Sequence, residues 1–398
     1  MERFRIMRKA LMEELENSIE LTDEDILEKI DELLLGSGKE GYIPLKEKVR
    51  LRQELFDSVR KLDVLQELID NPKVTEVMVN GYQTIYVEKD GRMNRWEKSF
   101  TSKEKLEDVI QQIAGQCNRV VNENKPIVDA RLSNGSRVNV VVSPIALNGP
   151  ILTIRRFPDE PITMERLIQL GSITREGAKF LENLVTSGYS ILIGGGTSAG
   201  KTTFLNALSN YIPKDERIIT IEDNAELQIQ GVENLVRLEA KEANMEGNRA
   251  ITIRDLIKTA LRMRPNRIVV GEVRGEEAID LLQAWNTGHD GSLGTAHANS
   301  ASDMISRMET MVLMGMSLPL PAIRRQIASG IDIMVHLGRM RDKKRRVLEI
   351  VEVIGLCNGE VVLSPLYSWD DEKEQLMFRH KLQDTRKLER AGYYEDEL

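Results

Sequence analysis

The chain has 398 residues, 41% hydrophobic and 30% charged, with a net charge of −8. That length exceeds what one hydrophobic core sustains, so two or three domains are expected. The acidic balance argues against a dedicated nucleic-acid binder, though not against one local basic face. Two distant cysteines, Cys117 and Cys357, match no metal or redox spacing and read as reduced thiols of a cytosolic protein.

The first stretch, "MERFRIMRKALMEELENSIE", carries a charge every few residues and lacks the apolar core of a signal peptide. No window supplies the roughly 18 apolar residues of a spanning helix. A soluble, cytoplasmic chain is therefore expected, reaching any membrane only through a partner. Residues 1–60 read as a helical packing segment. "LTDEDILEKIDELLL" has a capping residue in Thr22 and apolar residues at helical spacing, and "IPLKEKVRLRQELFDSV" repeats that pattern.

Residues 61–157 change period. "VTEVMVN", "QTIYVEK" and "RLSNGSRVNVVVS" alternate as strands do, with hairpin signals at Asp90-Gly91 and Asn134-Gly135. One helix, opened by Thr101 with Glu104 three residues on, interrupts them. A small α+β domain follows from that mixture. "FPDEPIT", with two prolines and two acids, marks a linker at 158–163.

Residues 164–398 alternate strand and helix, which predicts an α/β domain with a mostly parallel sheet covered on both faces. "SILIGGG" leads to a helix. "RIITIED" is followed by more strand in "ELQIQ", the helical "IRDLIKTALRMR" precedes the strand "RIVVGEV", and the helical "EEAIDLLQAW" precedes "GSLGTAHA". The end, "LQDTRKLERAGYYEDEL", is charged and helix-prone, with a tip expected to be disordered.

The most informative stretch is "GGGTSAGKTT". Gly195, Gly196, Thr197, Ser198, Ala199, Gly200, Lys201, Thr202 and Thr203 fit a P-loop lying between a strand and a helix. Glycines let successive backbone N–H groups converge on one anion, and the helix start adds its positive dipole end. Lys201 is then placed to reach the β- and γ-phosphates, and the Thr202 hydroxyl to ligate Mg²⁺. A chance glycine-rich turn is the bland alternative, and the strand–helix context disfavours it.

Downstream, "RIVVGEVRG" ends an apolar strand on an acid where a Mg²⁺-side carboxylate belongs, although Glu272 follows Gly271 in place of the usual Asp. A short strand ending in Glu is by itself ordinary sheet. Its position after the P-loop and the neighbouring Arg274 favour the metal-side reading. "TIEDNAELQ" gathers Glu222, Asp223 and Glu226, which repel one another unless a cation or a solvated turn separates them. His289 and His297, in "TGHDGSLGTAHA", lack the companions of a zinc site. His289 reads equally well as structural, whereas His297, at a strand end beside Thr295, is the better candidate for sensing the γ-phosphate.

These four stretches, in this order, resemble the Walker A, Asp, Walker B and His boxes of the secretion or traffic ATPases of bacterial type II and type IV secretion and pilus machines. "LQELIDNPKVTEVMVNGYQTIYVEKDGRM" further resembles the CpaF-type (Tad/Flp pilus) branch. The resemblance runs from about Lys61 to Tyr367. It implies a PAS-like domain at 61–157 joined to a RecA-like P-loop ATPase domain at 164–398, assembled as a homo-hexamer.

The same resemblance assigns the catalytic glutamate to Glu226, the Walker B acid to Glu272 and the His-box residue to His297. It also implies that arginines of the amino-terminal domain clamp the phosphates. Arg131, Arg137, Arg155 and Arg156 stand on or beside its strands, and Arg137 and Arg155 are favoured. Arg254, Arg262, Arg264 and Arg267 are further candidates, equally explained as a basic helix face. ATP and Mg²⁺ are the implied cofactors. No zinc is expected, since the tetracysteine insertion of the longer type II ATPases is absent. The implied partner is an inner-membrane platform protein of a pilus or secretion machine, with ATP hydrolysis driving assembly. Two rival readings stand beside this one: a DNA-acting or DNA-transfer motor, disfavoured by the acidic balance and 5% aromatic content, and a nucleotide-gated scaffold without turnover.

Overall fold

The structure, a computed structural model, describes residues 2–15, 22–36, 43–89, 91–132, 134–156, 161–241 and 250–393. Residues 158–160 of the expected linker, residue 157 before it, Asp90 of the first hairpin signal, and 394–398 of the charged tip lie outside them. The chain forms two compact units, Met1–Asp159 and Glu160–Leu398.

In the first unit, α1 (Glu2–Leu15), α2 (Asp23–Gly36) and α3 (Leu45–Arg60) share a small core of Met7, Leu11, Ile26, Ile30, Leu51 and Leu55. Thr22 starts α2 through a reciprocal cap. Its Oγ1 accepts from Asp25 N at 3.2 Å, and Asp25 Oδ2 accepts from Thr22 N at 2.8 Å. A short α4 (Gln66–Asp70) leads into the sheet.

The sheet has six antiparallel strands in the order β3-β2-β1-β6-β5-β4. They are β1 (Val74–Asn80), β2 (Ile85–Lys89), β3 (Arg92–Arg95), β4 (Ile127–Arg131), β5 (Arg137–Val141) and β6 (Ile151–Arg155). Alternate residues Val77, Val79, Val138, Val140, Leu152 and Ile154 are buried together with Leu106, Ile110 and Ile113 of α5 (Lys103–Gln116), so β1, β5 and β6 each present one face to that core, whereas β3 is exposed throughout. The cap of α5 differs from the expectation. Ser102, not Thr101, accepts from Lys105 N at 3.2 Å, while Thr101 Oγ1 accepts from Arg8 Nη1 at 2.6 Å. Both hydroxyl residues suit a cap, and Ser102 has the extended backbone that the position needs, with φ −156° and ψ 170°.

The second unit opens with α6 (Met164–Gln169) and α7 (Arg175–Thr186). Strand β7 (Ile191–Gly195), α8 (Lys201–Ser209), β8 (Ile218–Glu222), β9 (Leu235–Glu239), α9 (Ile253–Ala260) and β10 (Arg267–Val273) follow. Next come α10 (Glu277–Trp285), β11 (Leu293–His297), α11 (Ala301–Gly315) and α12 (Leu320–Gly330). Four strands and a short helix complete it: β12 (Ile333–Arg339), β13 (Arg345–Cys357), β14 (Glu360–Asp370), β15 (Gln375–Phe378) and α13 (Arg386–Arg390).

These strands make one nine-stranded sheet, β15-β14-β13-β12-β7-β11-β10-β8-β9. From β12 to β9 every pairing is parallel, and β13 to β15 add an antiparallel wing. Strand residues alternate between two cores. Ile191, Ile193, Ile218 and Val269 pack with Leu184, Phe204 and Leu208 on one face, whereas Leu192, Ile219, Ile268 and Val270 pack with Ile257, Leu281, Met304 and Ile323 on the other. Burial on both faces is why these strands read as continuous apolar runs.

The expected strand "ELQIQ" does not form. Its backbone donors are taken by side chains: Glu222 Oε2 accepts from Glu226 N and Leu227 N, Asn206 Oδ1 from Gln228 N at 2.7 Å, and Asn210 Oδ1 from Gln230 N at 2.9 Å. A strand pattern whose N–H groups are claimed by side chains has none left for a ladder. The neighbouring strand is instead β9.

Candidate active site

The carboxyl ends of the parallel strands bring the motif residues together, where open α/β sheets form their clefts. Strand β7 is wholly buried and ends at Gly195, and the loop 196–200 turns it into α8. A Cβ on Gly194 would collide with Met304 of α11, so one glycine of the triplet serves packing and not the loop. Gly200, at φ +93°, supplies the left-handed turn into α8. Thr197 and Ser198 are exposed, Ala199 is buried, and Thr202 and Thr203 are half-buried in the first turn of α8.

Lys201 is buried, 7% exposed, an unusual place for an ammonium. Its Nζ donates to Gly196 O at 3.3 Å and stands 3.3 Å from His297 Nδ1. An ammonium only donates, so Nδ1 is the acceptor and the imidazole proton sits on Nε2. Nε2 lies 2.7 Å from Glu272 Oε1. Burial, reinforced by the charges of Lys201, Arg274 and Arg307 against that of Glu272, holds the imidazole below its usual pKa, which keeps it neutral near pH 7.

Glu272 is the hub. Arg274 Nη2 donates to its Oε2 at 2.8 Å, and Arg274 Nη1 donates to Asp223 Oδ2 at 3.1 Å, tying the end of β10 to the turn after β8. Burial opposes ionisation of Glu272. The Arg274 hydrogen bond and the charges of Arg274 and Lys201 nevertheless hold its carboxyl below the usual range. Its Oε1 is buried and faces the imidazole Nε2 of His297. An ionised carboxylate, together with the Thr202 hydroxyl, suits Mg²⁺, a hard cation that keeps several waters and takes few protein oxygens. Among the described residues no three His, Cys, Asp or Glu side chains gather as an all-protein metal cage.

Glu222 was named in the sequence only as one of three acids, and it has a distinct place. It is 3% exposed at the end of β8, and burial pushes its carboxyl up to about 7, against the lowering effect of the N–H groups of Glu226 and Leu227. Those two N–H groups donate to Oε2 at 2.8 and 3.0 Å, so Glu222 shapes the turn that carries Glu226. Gly271 makes room for it, since a Cβ there would stand 2.9 Å from Glu222 Cγ. Glu226 is half-buried on that turn.

The arginines divide. Arg267 is buried and bidentate to Glu216, also donating to the carbonyls of Val185 and Gly291. Arg254 binds Asp280 and Glu276, both at 2.7 Å. Both brace the fold here, Arg267 from within the core. Arg262 and Arg264 are exposed. In the first unit, Arg131 pairs with Arg137, Arg137 with Arg155 and Arg155 with Glu76 in register across four strands, so three guanidinium groups share one face. Arg131 Nε also donates to Gly135 O at 3.1 Å. Arg156 points elsewhere, donating to the Asn71 carbonyl. His289 Nδ1 lies 3.1 Å from Ala284 O at the end of α10, a structural contact.

A phosphate-type loop and an acid–base cluster at the carboxyl edge of a doubly covered parallel sheet define a P-loop protein of the α/β class. The chain belongs to the type II/IV secretion system protein family, whose sequence model matches residues 59–365. It is 36% identical over 304 residues to a putative conjugal transfer protein of Mycobacterium tuberculosis, covering 75% of this chain and 86% of that one. It is 33% identical over 315 residues to the type IV secretion system protein PtlH of Bordetella pertussis, covering 73% of this chain and 93% of that protein. The fold is that of the Legionella pneumophila ATPase DotB, with a TM-score of 0.53 at 20% identity over 72% of this chain and 79% of that one.

Proposed function

We propose that this chain is an ATP-hydrolysing motor of a secretion or pilus machine, of the CpaF-type (Tad/Flp) branch, working as a homo-hexamer. The observation that carries the reading is the convergence of Lys201, Glu272, His297 and Arg274 beside a P-loop, with Glu226 on the adjoining turn. Residues 195–203 would cradle the triphosphate, and Lys201 would leave Gly196 O to meet the β- and γ-phosphates. Thr202 and Glu272 would hold Mg²⁺, which neutralises phosphate charge when bound. Glu226 would orient or deprotonate the attacking water, with Glu222 fixing its backbone. His297, a neutral donor, would report the γ-phosphate to Glu272.

The PAS-like reading of 61–157, the linker at 158–163 and the RecA-like domain at 164–398 belong to the same proposal. Arg137 and Arg155 would act on phosphates from that amino-terminal domain. No described helix is long and apolar enough to cross a membrane, which suits attachment through a platform protein of the inner membrane. Phosphate release from MgATP, followed across protein concentration with sizing of the same samples, tests the reading. Turnover that Lys201→Ala leaves intact, or a chain that stays monomeric while fully active, would overturn it.

A second reading has its own support, because relatives are named for conjugal transfer. A DNA-transfer motor would show ATPase activity stimulated by single-stranded DNA, with the stimulation falling steeply as salt rises.

A further inference from the structure

The loop 196–200 contains two left-handed residues, Ser198 at φ +58° and Gly200 at φ +93°. For Ser198 that backbone is unfavourable, by about 1–2 kcal/mol, so something outside the loop must hold it. Its carbonyl oxygen accepts from Arg345 Nε at 2.9 Å, across 147 residues of sequence. The N–H of the same peptide plane, that of Ala199, donates to Gly196 O at 3.3 Å. Both polar groups of this plane are thus anchored. The aliphatic stem of Arg345 lies against the loop as well, its Cδ 3.2 Å from where a Cβ on Gly200 would stand.

The brace rests on firm ground. Arg345 is the first residue of β13 and pairs with Arg339 of β12, and β12 pairs with β7 at Gly194 and Gly195. The strand that launches the loop and the strand pair that steadies it therefore belong to one sheet. Arg339, Arg341, Lys343, Lys344 and Arg345 are all exposed around this turn, and among the described residues none has a carboxylate partner.

We infer that Arg345 is a positioning residue for nucleotide binding: it fixes the peptide after Ser198, and so the set of backbone donors that the P-loop offers to phosphate. The inference rests on the nucleotide reading above. Arg345 touches no reacting atom in this account, so its loss acts on affinity and not on chemistry.

The test uses the full chain and MgATP, measuring nucleotide affinity directly alongside KM, kcat and melting temperature. Arg345→Ala is expected to weaken ATP binding about tenfold, the scale of one charge-assisted hydrogen bond, with kcat changed by less than about threefold. Arg345→Lys, which keeps the charge and a donor, is expected to recover part of that affinity. The double variant Arg341→Ser/Lys344→Ser removes equal or greater charge from the same turn and should leave affinity within about twofold. Unchanged affinity in Arg345→Ala overturns the inference. So does an equal loss in the Arg341/Lys344 variant, which would make the effect one of general attraction, or a loss confined to kcat. Should Arg345→Ala fold poorly, Arg345→Gln, which keeps the stem over Gly200, gives the same decision. If the wild-type chain binds ATP without turning it over, the motor reading fails while the affinity comparison still decides the role of Arg345. A wild type that does not bind ATP overturns both.

Discussion

Two concentrations of charge, one in each unit, are built on opposite plans. On the six-stranded sheet, Arg131, Arg137 and Arg155 occupy successive register positions, with Glu76 closing the row. Like charges set in register across neighbouring strands repel one another. At the carboxyl edge of the parallel sheet the acids already face cations, Glu272 between Arg274 and His297 and Asp223 on the same arginine. The contrast separates a row of like charges on one face of a sheet from a cluster whose opposite charges are paired beforehand, the kind of preorganised geometry that electrostatic catalysis uses.

The sharpest way to break this comparison is Lys201→Ala, which removes the cation buried against His297 and the P-loop. Turnover should fall by about 10³ or more and ATP affinity should drop, since phosphoryl transfer depends on such positioning. Phosphate release and direct nucleotide binding measure the two effects.

The acids come next. Glu226→Gln should lower kcat by about 10²–10⁴, the usual worth of a general base, while MgATP stays bound. Glu272→Gln should blunt the Mg²⁺ dependence and release Arg274 and His297. Normal turnover in Glu226→Gln, with ATP trapped by Glu272→Gln, would show the two roles to be exchanged.

The row of cations is tested by Arg137→Ala and Arg155→Ala. Each should lower kcat about 10- to 100-fold, on the scale of a charge-assisted contact, without loss of folding stability. Arg155 faces Glu76 across 3.6 Å, so Glu76→Gln should leave the effect of Arg155→Ala on kcat unchanged if Arg155 acts on phosphate. Full activity in both variants would make the row an ordinary exposed face.

Smallest in turnover, but legible in stability, is the packing of Glu222. Gly271→Ala should destabilise by about 1–3 kcal/mol through overpacking, an effect that Glu222→Ala relieves in the double variant. Glu222 also links stability to pH. Its carboxyl is raised to about 7 in the folded chain, so between the unfolded value near 4.5 and about 7 the native state holds the extra proton. Its contribution is therefore favourable below the lower value and is lost as pH rises towards 7, by roughly 1–3 kcal/mol in all. Denaturant melts of wild type and Glu222→Gln across pH 5–8 should differ by this slope, and parallel curves would dismiss it.

Much of the site was legible because it is local. The P-loop is one uninterrupted run, and the apolar strands and the Gly135 hairpin announce themselves within a few residues. What could not be read is what depends on residues meeting from afar. The strand pattern in "ELQIQ" is real, but Asn206, Asn210 and Glu222 take its donors. Arg254 and Arg267 look like any basic residues near a phosphate loop until Asp280 and Glu216 stand beside them. The antiparallel wing from β13 to β15 is hard to see in the sequence because charged residues such as Glu349, Glu352 and Glu360 interrupt its apolar alternation.

By itself, then, the order of residues determined the parallel α/β plan of the second unit, the loop chemistry at 195–203 and the acids that accompany it, because each is carried by periodicity or spacing along a short stretch. Tertiary structure alone decided which acid each cation would face, that His297 is neutral with its proton on Nε2, that Glu222 is buried beneath the turn of Glu226, and that Arg345 holds Ser198. Pairing, burial and the resulting shifts in ionisation are properties of distance in space, and strands far apart in sequence meet only when the sheet assembles.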